Sequence, residues 1–178
     1  LLVDYFSEKG DKLQGALFLP ANYERGKTYP MVVNIYERMS ANLHAFFRMT
    51  QPNPTTLNKA LYTSQGYAVF LPDIAYKPND PGMSAVWCVV PAVHAAIATG
   101  IVDPKRIGLM GHSWGGYQTA FLITQTDIFA AAVASAPISE WFTMYSLIYK
   151  VTGGVNGAIA ESNQGRFTAG PWDNPEAF

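Results

Sequence analysis

The chain has 178 residues, 49% of them hydrophobic and 14% charged, enough for one domain with a substantial core. Twelve basic and 13 acidic residues leave a formal charge of -1 with no basic tract, so neither nucleic acid nor an anionic membrane is an expected partner. The single cysteine, Cys88, sits in the apolar run AVWCVVPAV and reads as core filler, which excludes an internal disulfide framework and a cysteine-rich zinc site.

The apolar stretches 84–98 and 129–138 are too short, or too interrupted by Pro91 and His94, to read as a membrane span. The opening LLVDYFSEKGDKLQG lacks the zones of a signal peptide and begins on Leu1, so the natural start is expected upstream and the compartment is undefined.

In chain order, residues 2–7 and 13–19 are β-rich runs around EKGD and read as an antiparallel pair. Residues 31–37, MVVNIYE, and 67–73, YAVFLPD, are short runs suited to strands buried on both faces. Between them LNKALYTSQ, 57–65, has one apolar face and a closing Gly66, which implies a helix and a parallel crossover. A helix follows over 87–100, with Pro91 tolerable in its first turn and a kink elsewhere.

RIGLM (106–110) is the third buried strand, GYQTAFLITQ (116–125) its helix, and AAAVASAP (130–137) a fourth strand of small residues. This alternation is that of a doubly wound α/β sheet, mostly parallel. The organisation expected is one partial domain: leading antiparallel strands over 1–30, a core over 31–137, and an aromatic-rich pocket or lid segment over 138–178, helical around 140–150.

Within that frame the sequence GHSWG, 111–115, falls between a strand and a helix, the setting in which G-x-S-x-G forms a sharp nucleophile turn. Small residues two positions either side of Ser113 let neighbouring backbone pass, and the following helix aims its positive end at the serine. Ser113 is the candidate nucleophile, and the Trp114 N–H the first candidate donor to an oxyanion. A glycine-rich turn with an incidental serine is the alternative.

The stretch VDPKRIGLMGHSWGGYQTAFLITQTDIFAAAVASAPISEW, and more loosely YPMVVNIY and GYAVFLPD, resembles the catalytic domain of the prolyl oligopeptidase family of serine peptidases, an α/β-hydrolase branch. The resemblance implies a peptide substrate, a Ser113 acyl-enzyme and no cofactor. It implies that Tyr36 is the second oxyanion donor, although Glu37, Arg38 and Met39 stand where the family has Gly-Gly-Pro; a buried strand-end tyrosine is the other reading. It also implies an apolar pocket from Trp114, Ile138, Trp141 and Tyr145, while the spacing 141, 145, 149 equally fits a packed amphipathic helix.

The base and acid of a triad follow the serine in this fold, yet the three histidines are His44, His94 and His112. His44 as base would break that order. Asp127 reads as a helix cap and Asp173 as part of a turn. The expectation is therefore a sheet incomplete at its C-terminus, with the Asp and His beyond residue 178, an upstream β-propeller, and a 178-residue piece inactive and sticky by itself. A carboxylesterase or acyl esterase on the same scaffold, and an inactive hydrolase fold used for binding, are the competing functions.

Overall fold

A computed structural model describes residues 1–45 and 57–178. Its centre is a six-stranded sheet in the order β1-β2-β4-β3-β5-β6. Strands β1 (Leu2–Phe6) and β2 (Lys12–Phe18) form the expected antiparallel pair, turning at Gly10 with φ of +83°. Strand β2 also runs antiparallel to β4 (Ala68–Pro72), whereas β3 (Tyr29–Asn34) lies parallel to β4 and to β5 (Val102–His112). Strand β6 (Ala131–Ser135) extends β5 in parallel and is an edge strand with all five residues exposed.

The alternation of apolar side chains separates two cores. Ala68 and Phe70 face the main core with Met31, Val33, Ile107 and Leu109, while Val69 and Leu71 face the other side with Ala16. The helices α2 (Pro81–Ala98) and α3 (Trp114–Gln125) contribute Val89, Val93 and Leu122 to the main core. Helix α1 (Lys59–Ser64) and a 3-10 helix, Ser40–His44, cover the opposite face through Tyr62 and Leu43.

Sequence and structure differ most at α2. It starts at Pro81, six residues before the expected 87, because Asp80 precedes a proline at the first helical position, where its missing N–H costs nothing. Pro91 is therefore inside the helix and cannot donate to the carbonyl of Trp87 four residues back. That carbonyl instead accepts from Glu8 N–H in the β1–β2 turn at 2.9 Å, so the defect becomes a tether between helix and sheet. The continuous helix is long and apolar enough to cross a membrane by length and composition, correcting the reading of 84–98 as interrupted; ten of its 18 residues are buried against the protein. Cys88 lies in it, packed in the core as expected, and burial pushes its thiol up to about 11.

Smaller shifts occur at strand ends. The first core strand spans Tyr29–Asn34 rather than 31–37, so Tyr36 lies in the turn beyond it; β5 begins at Val102, before the expected 106. Past β6 the expected helix over 140–150 is only Trp141–Ser146 (α4), capped at its start by Glu140, which accepts from Phe142 and Thr143 N–H at 2.7 Å each. A bridge between Ile148 and Val155 and a short helix, Gly157–Glu161 (α5), follow.

Chain direction across the sheet reverses at β3: the connection through α1 leads to β4 on one side, and that through α2 to β5 on the other. Such a switch point opens a crevice at the carboxyl ends of the two strands. The loops that leave those ends carry Tyr36 and Ser113.

Candidate active site

Ser113 occupies the single residue between β5 and α3, with φ of 55° and ψ of −112°, a strained conformation for a residue with a side chain. Its N–H donates to Ser135 O on β6 at 2.8 Å, and its carbonyl accepts from Tyr117 N–H at 3.0 Å, closing the first turn of α3. The turn is tight enough that a Cβ on Gly111 would overlap the Gly115 carbonyl, and one on Gly115 would overlap the carbonyl oxygen of Ile35. Neither overlap can be relieved by a side-chain rotation, since both obstacles are backbone.

A serine at a helix N-cap ordinarily accepts a hydrogen bond from the second or third N–H of the helix. Ser113 is the N-cap of α3 and makes no such bond, so its hydroxyl is not spent on the helix. The Trp114 N–H belongs to the first turn, whose donors lack intrahelical acceptors and carry the positive end of the helix dipole. This combination presents a hydroxyl beside unspent N–H donors, which is what attack on a carbonyl and stabilisation of the resulting oxyanion require.

Ser113 opens onto a cavity of about 460 Å³ whose lining includes Tyr36, Asn34, Asn42, Lys59 and His112. Tyr36 is about one-third exposed, so it is not the buried strand-end tyrosine of the alternative reading. Lys59 donates to the carbonyls of Asn42 at 2.8 Å and Ala45 at 2.6 Å and lies over the Phe18 ring; burial lowers its pKa. His112 Nδ1 is buried and has no hydrogen-bond partner among the described residues.

The loop after β3, where Glu37, Arg38 and Met39 replace glycines and a proline, is pinned rather than loose. Buried Asp73 accepts from Met39 N–H at 2.7 Å, Ser40 N–H at 2.8 Å and the Ser40 hydroxyl at 2.8 Å. Ile74 N–H donates to Glu37 O at 2.9 Å, and Tyr76 Oη donates to Tyr36 O at 2.8 Å. The same Tyr76 oxygen accepts from Trp114 Nε1 at 3.0 Å and from Gln118 Nε2, so one hydroxyl ties the Tyr36 backbone to the helix after Ser113. Desolvation raises the Tyr76 pKa, which keeps that donor proton in place.

On the other flank of Ser113 the four residues expected to form an apolar pocket do come together, in an aromatic cluster. Trp114 and Trp141 are buried, and Ile138 and Tyr145 pack against them beside buried Phe167. The Trp114 ring stacks on Tyr117 with centroids 5.0 Å apart, and Trp141 meets Phe167 edge-on at 4.7 Å. Tyr145 donates to Glu161 Oε1 at 2.5 Å, so Glu161 is committed within the protein. None of these four lines the cavity at Ser113.

The remaining candidates are scattered. His44 is exposed at the end of the 3-10 helix rather than in an open loop, and His94 is exposed on α2. Asp127 lies one residue past Thr126, which is the C-cap of α3, and Asp173 is in a turn as expected. Residues that the sequence does not single out are Asp73, Tyr76, Gln118 and Gln164; Arg166, to which the sequence assigns no role, pairs its guanidinium with Glu37 at 2.9 Å. The one available signal was Glu37 itself, a carboxylate where glycine was expected.

The model of the prolyl oligopeptidase family matches residues 86–177. The uncharacterized peptidase YuxL of Bacillus subtilis is 30% identical over 151 residues, covering 82% of this chain and 23% of that protein. The human prolyl endopeptidase FAP is 28% identical over 140 residues, covering 75% and 18% respectively. Among solved structures, dipeptidyl peptidase 4 of Porphyromonas gingivalis superposes with a TM-score of 0.70 at 18% identity over 100% of this chain and 24% of its own. An acylaminoacyl peptidase of Pyrococcus horikoshii gives 0.69 at 17% identity, over 99% and 28%. The fold is thus that of α/β-hydrolase-type peptidases, and the chain spans about a fifth to a quarter of the length of these relatives.

Proposed function

The chain belongs to the prolyl oligopeptidase family, and from that premise we propose that it supplies the nucleophile and the oxyanion donors of a serine peptidase acting on short peptides. The observation that carries the reading is Ser113 itself, held at positive φ between β5 and α3 with its hydroxyl unspent on the helix cap. Family relatives named as peptidases support peptide hydrolysis rather than another acyl transfer.

In the proposed reaction the Ser113 oxygen attacks the scissile carbonyl carbon while its proton passes to a histidine. The carbonyl oxygen becomes an oxyanion that accepts from Trp114 N–H and the Tyr36 hydroxyl. Collapse of this intermediate breaks the C–N bond, the histidine returns the proton to the leaving amine, and water then hydrolyses the acyl-serine by the same steps. The histidine and its carboxylate partner come from outside these 178 residues in the full-length polypeptide, as do further domains, a propeller among them. Supporting this, His112 is the only histidine among the described residues that lines the cavity, and it adjoins the nucleophile on the strand. The aromatic cluster of Trp114, Ile138, Trp141 and Tyr145 would serve as apolar support beside the subsite for the residue before the cleaved bond, not as the lining of the cavity at Ser113.

The test is turnover of peptidyl p-nitroanilides with proline, alanine or glutamate before the bond, beside short p-nitrophenyl esters, by the full-length protein and its Ser113→Ala variant. Amide hydrolysis lost in the variant supports the peptidase. Ester hydrolysis without any amide hydrolysis would make it an esterase, and no Ser113-dependent turnover would leave a binding module.

A further inference from the structure

The segment 164–168 lies 128 residues along the chain from Tyr36, yet it is bound to it at several points. Gln164 Nε2 donates to the Tyr36 hydroxyl at 2.9 Å. Two residues on, the Arg166 guanidinium pairs with Glu37 and lies over the Tyr76 ring at 4.2 Å, and Tyr76 in turn holds the Tyr36 carbonyl. The backbone here is strained: Arg166 and Thr168 have φ of 56° and 62°, in the left-handed region that side chains disfavour. Several contacts hold that strain in place. Asn79 N–H donates to Arg166 O at 2.9 Å, Phe167 N–H to Ala160 O at 2.9 Å, and buried Phe167 anchors the segment in the aromatic cluster. Strain that the surroundings over-determine in this way gathers at functional sites.

We propose that Gln164 is a positioning residue for the oxyanion hole, holding the Tyr36 hydroxyl so that its proton points to substrate. The inference rests on the reading of Tyr36 as an oxyanion donor. A phenol has one O–H to give and lone pairs that accept. Because the Gln164 amide donates, it fills a lone pair and leaves the proton of Tyr36 unclaimed; among the described residues that hydroxyl has no acceptor of its own. Accepting a bond also polarises the hydroxyl and strengthens the one it gives. An oxyanion donor on a side chain, unlike a backbone N–H, must be fixed in rotation before reaction, and this side chain is partly exposed with a loop instead of a strand beneath it. The Arg166 pair with Glu37 and the buried Phe167 keep Gln164 within reach.

The experiment is a double-mutant cycle in the full-length enzyme, reading kcat and KM on Ala-Pro-p-nitroanilide, or on p-nitrophenyl acetate if only esters turn over. Gln164→Leu, which fills the same space without a donor, should lower kcat about tenfold with KM changed less than twofold, a part of the roughly hundredfold cost of losing an oxyanion donor outright. In a Tyr36→Phe background the same substitution should change kcat by less than about twofold, since its object is gone. Gln164→Glu, which can only accept and would claim the tyrosine proton, should be at least as impaired as Gln164→Leu. The proposal is overturned if Gln164→Leu retains wild-type kcat, if its loss lies in KM, or if that loss is undiminished beside Tyr36→Phe. A Tyr36→Phe enzyme with full kcat would instead remove the oxyanion assignment and the proposal with it, and an inert wild type would remove the peptidase reading and both inferences together.

Discussion

The two flanks of Ser113 are built in opposite ways. On one side Trp114, Trp141 and Phe167 form a closed aromatic cluster held by burial and ring packing. On the other, an open cavity is bordered by a loop that hydrogen bonds and one ion pair fix, through Asp73, Tyr76 and Arg166. Apolar burial and ring packing dominate the first flank, where side-chain hydrogen bonds such as Tyr145 to Glu161 only supplement them, whereas the second is positioned chiefly by hydrogen bonds, as a side-chain oxyanion donor requires. The difference predicts that damage to the first flank appears as lost stability and damage to the second as smaller losses of stability with larger losses of rate.

The sharpest break should come from Phe167→Ala, which empties a fully buried ring site and is expected to cost about 3–5 kcal/mol, read as a lower urea midpoint than wild type. Gly115→Ala forces a methyl against the Ile35 carbonyl at the junction of the two flanks; a loss near 3 kcal/mol is expected, together with loss of any reactivity at Ser113. Full stability in that variant would mean that the turn can open to accommodate a methyl group.

On the second flank, Tyr76→Phe keeps the ring but strips the acceptor from Trp114 Nε1 and Gln118 Nε2 and the donor from Tyr36 O. A destabilisation of about 2 kcal/mol is expected by urea unfolding, with kcat falling more than KM rises. Least costly is Glu37→Ala, because both partners of its ion pair are about one-third exposed; no more than about 1 kcal/mol should be lost, and raising the salt concentration should narrow the gap from wild type.

Legibility in the sequence follows the same division. The doubly wound order and the turn at Ser113 could be read because they rest on local demands: β-branched runs for buried strands, and glycines where Gly111 and Gly115 meet backbone. The start of α2 is not legible in the sequence because Pro81 reads equally as a turn residue and as a first helical residue, and only Asp80 before it and packing behind it decide. Whether Tyr145 faces a pocket or packs could not be chosen from spacing, since Tyr145 bonds Glu161, sixteen residues away. The second flank was illegible for a simple physical reason: Tyr36 with Gln164, Glu37 with Arg166, and Tyr76 with Trp114 and Gln118 are meetings of distant residues with no periodicity to betray them.

Covalent capture tests whether Ser113 is a nucleophile without knowledge of the natural substrate. The full-length protein should be treated with a fluorophosphonate and the adduct located by peptide mass spectrometry, with Ser113→Ala alongside. The expected result is one phosphonylated serine, Ser113, and no labelling in the variant. An unlabelled wild type, or an adduct on a different residue that persists in Ser113→Ala, would contradict it.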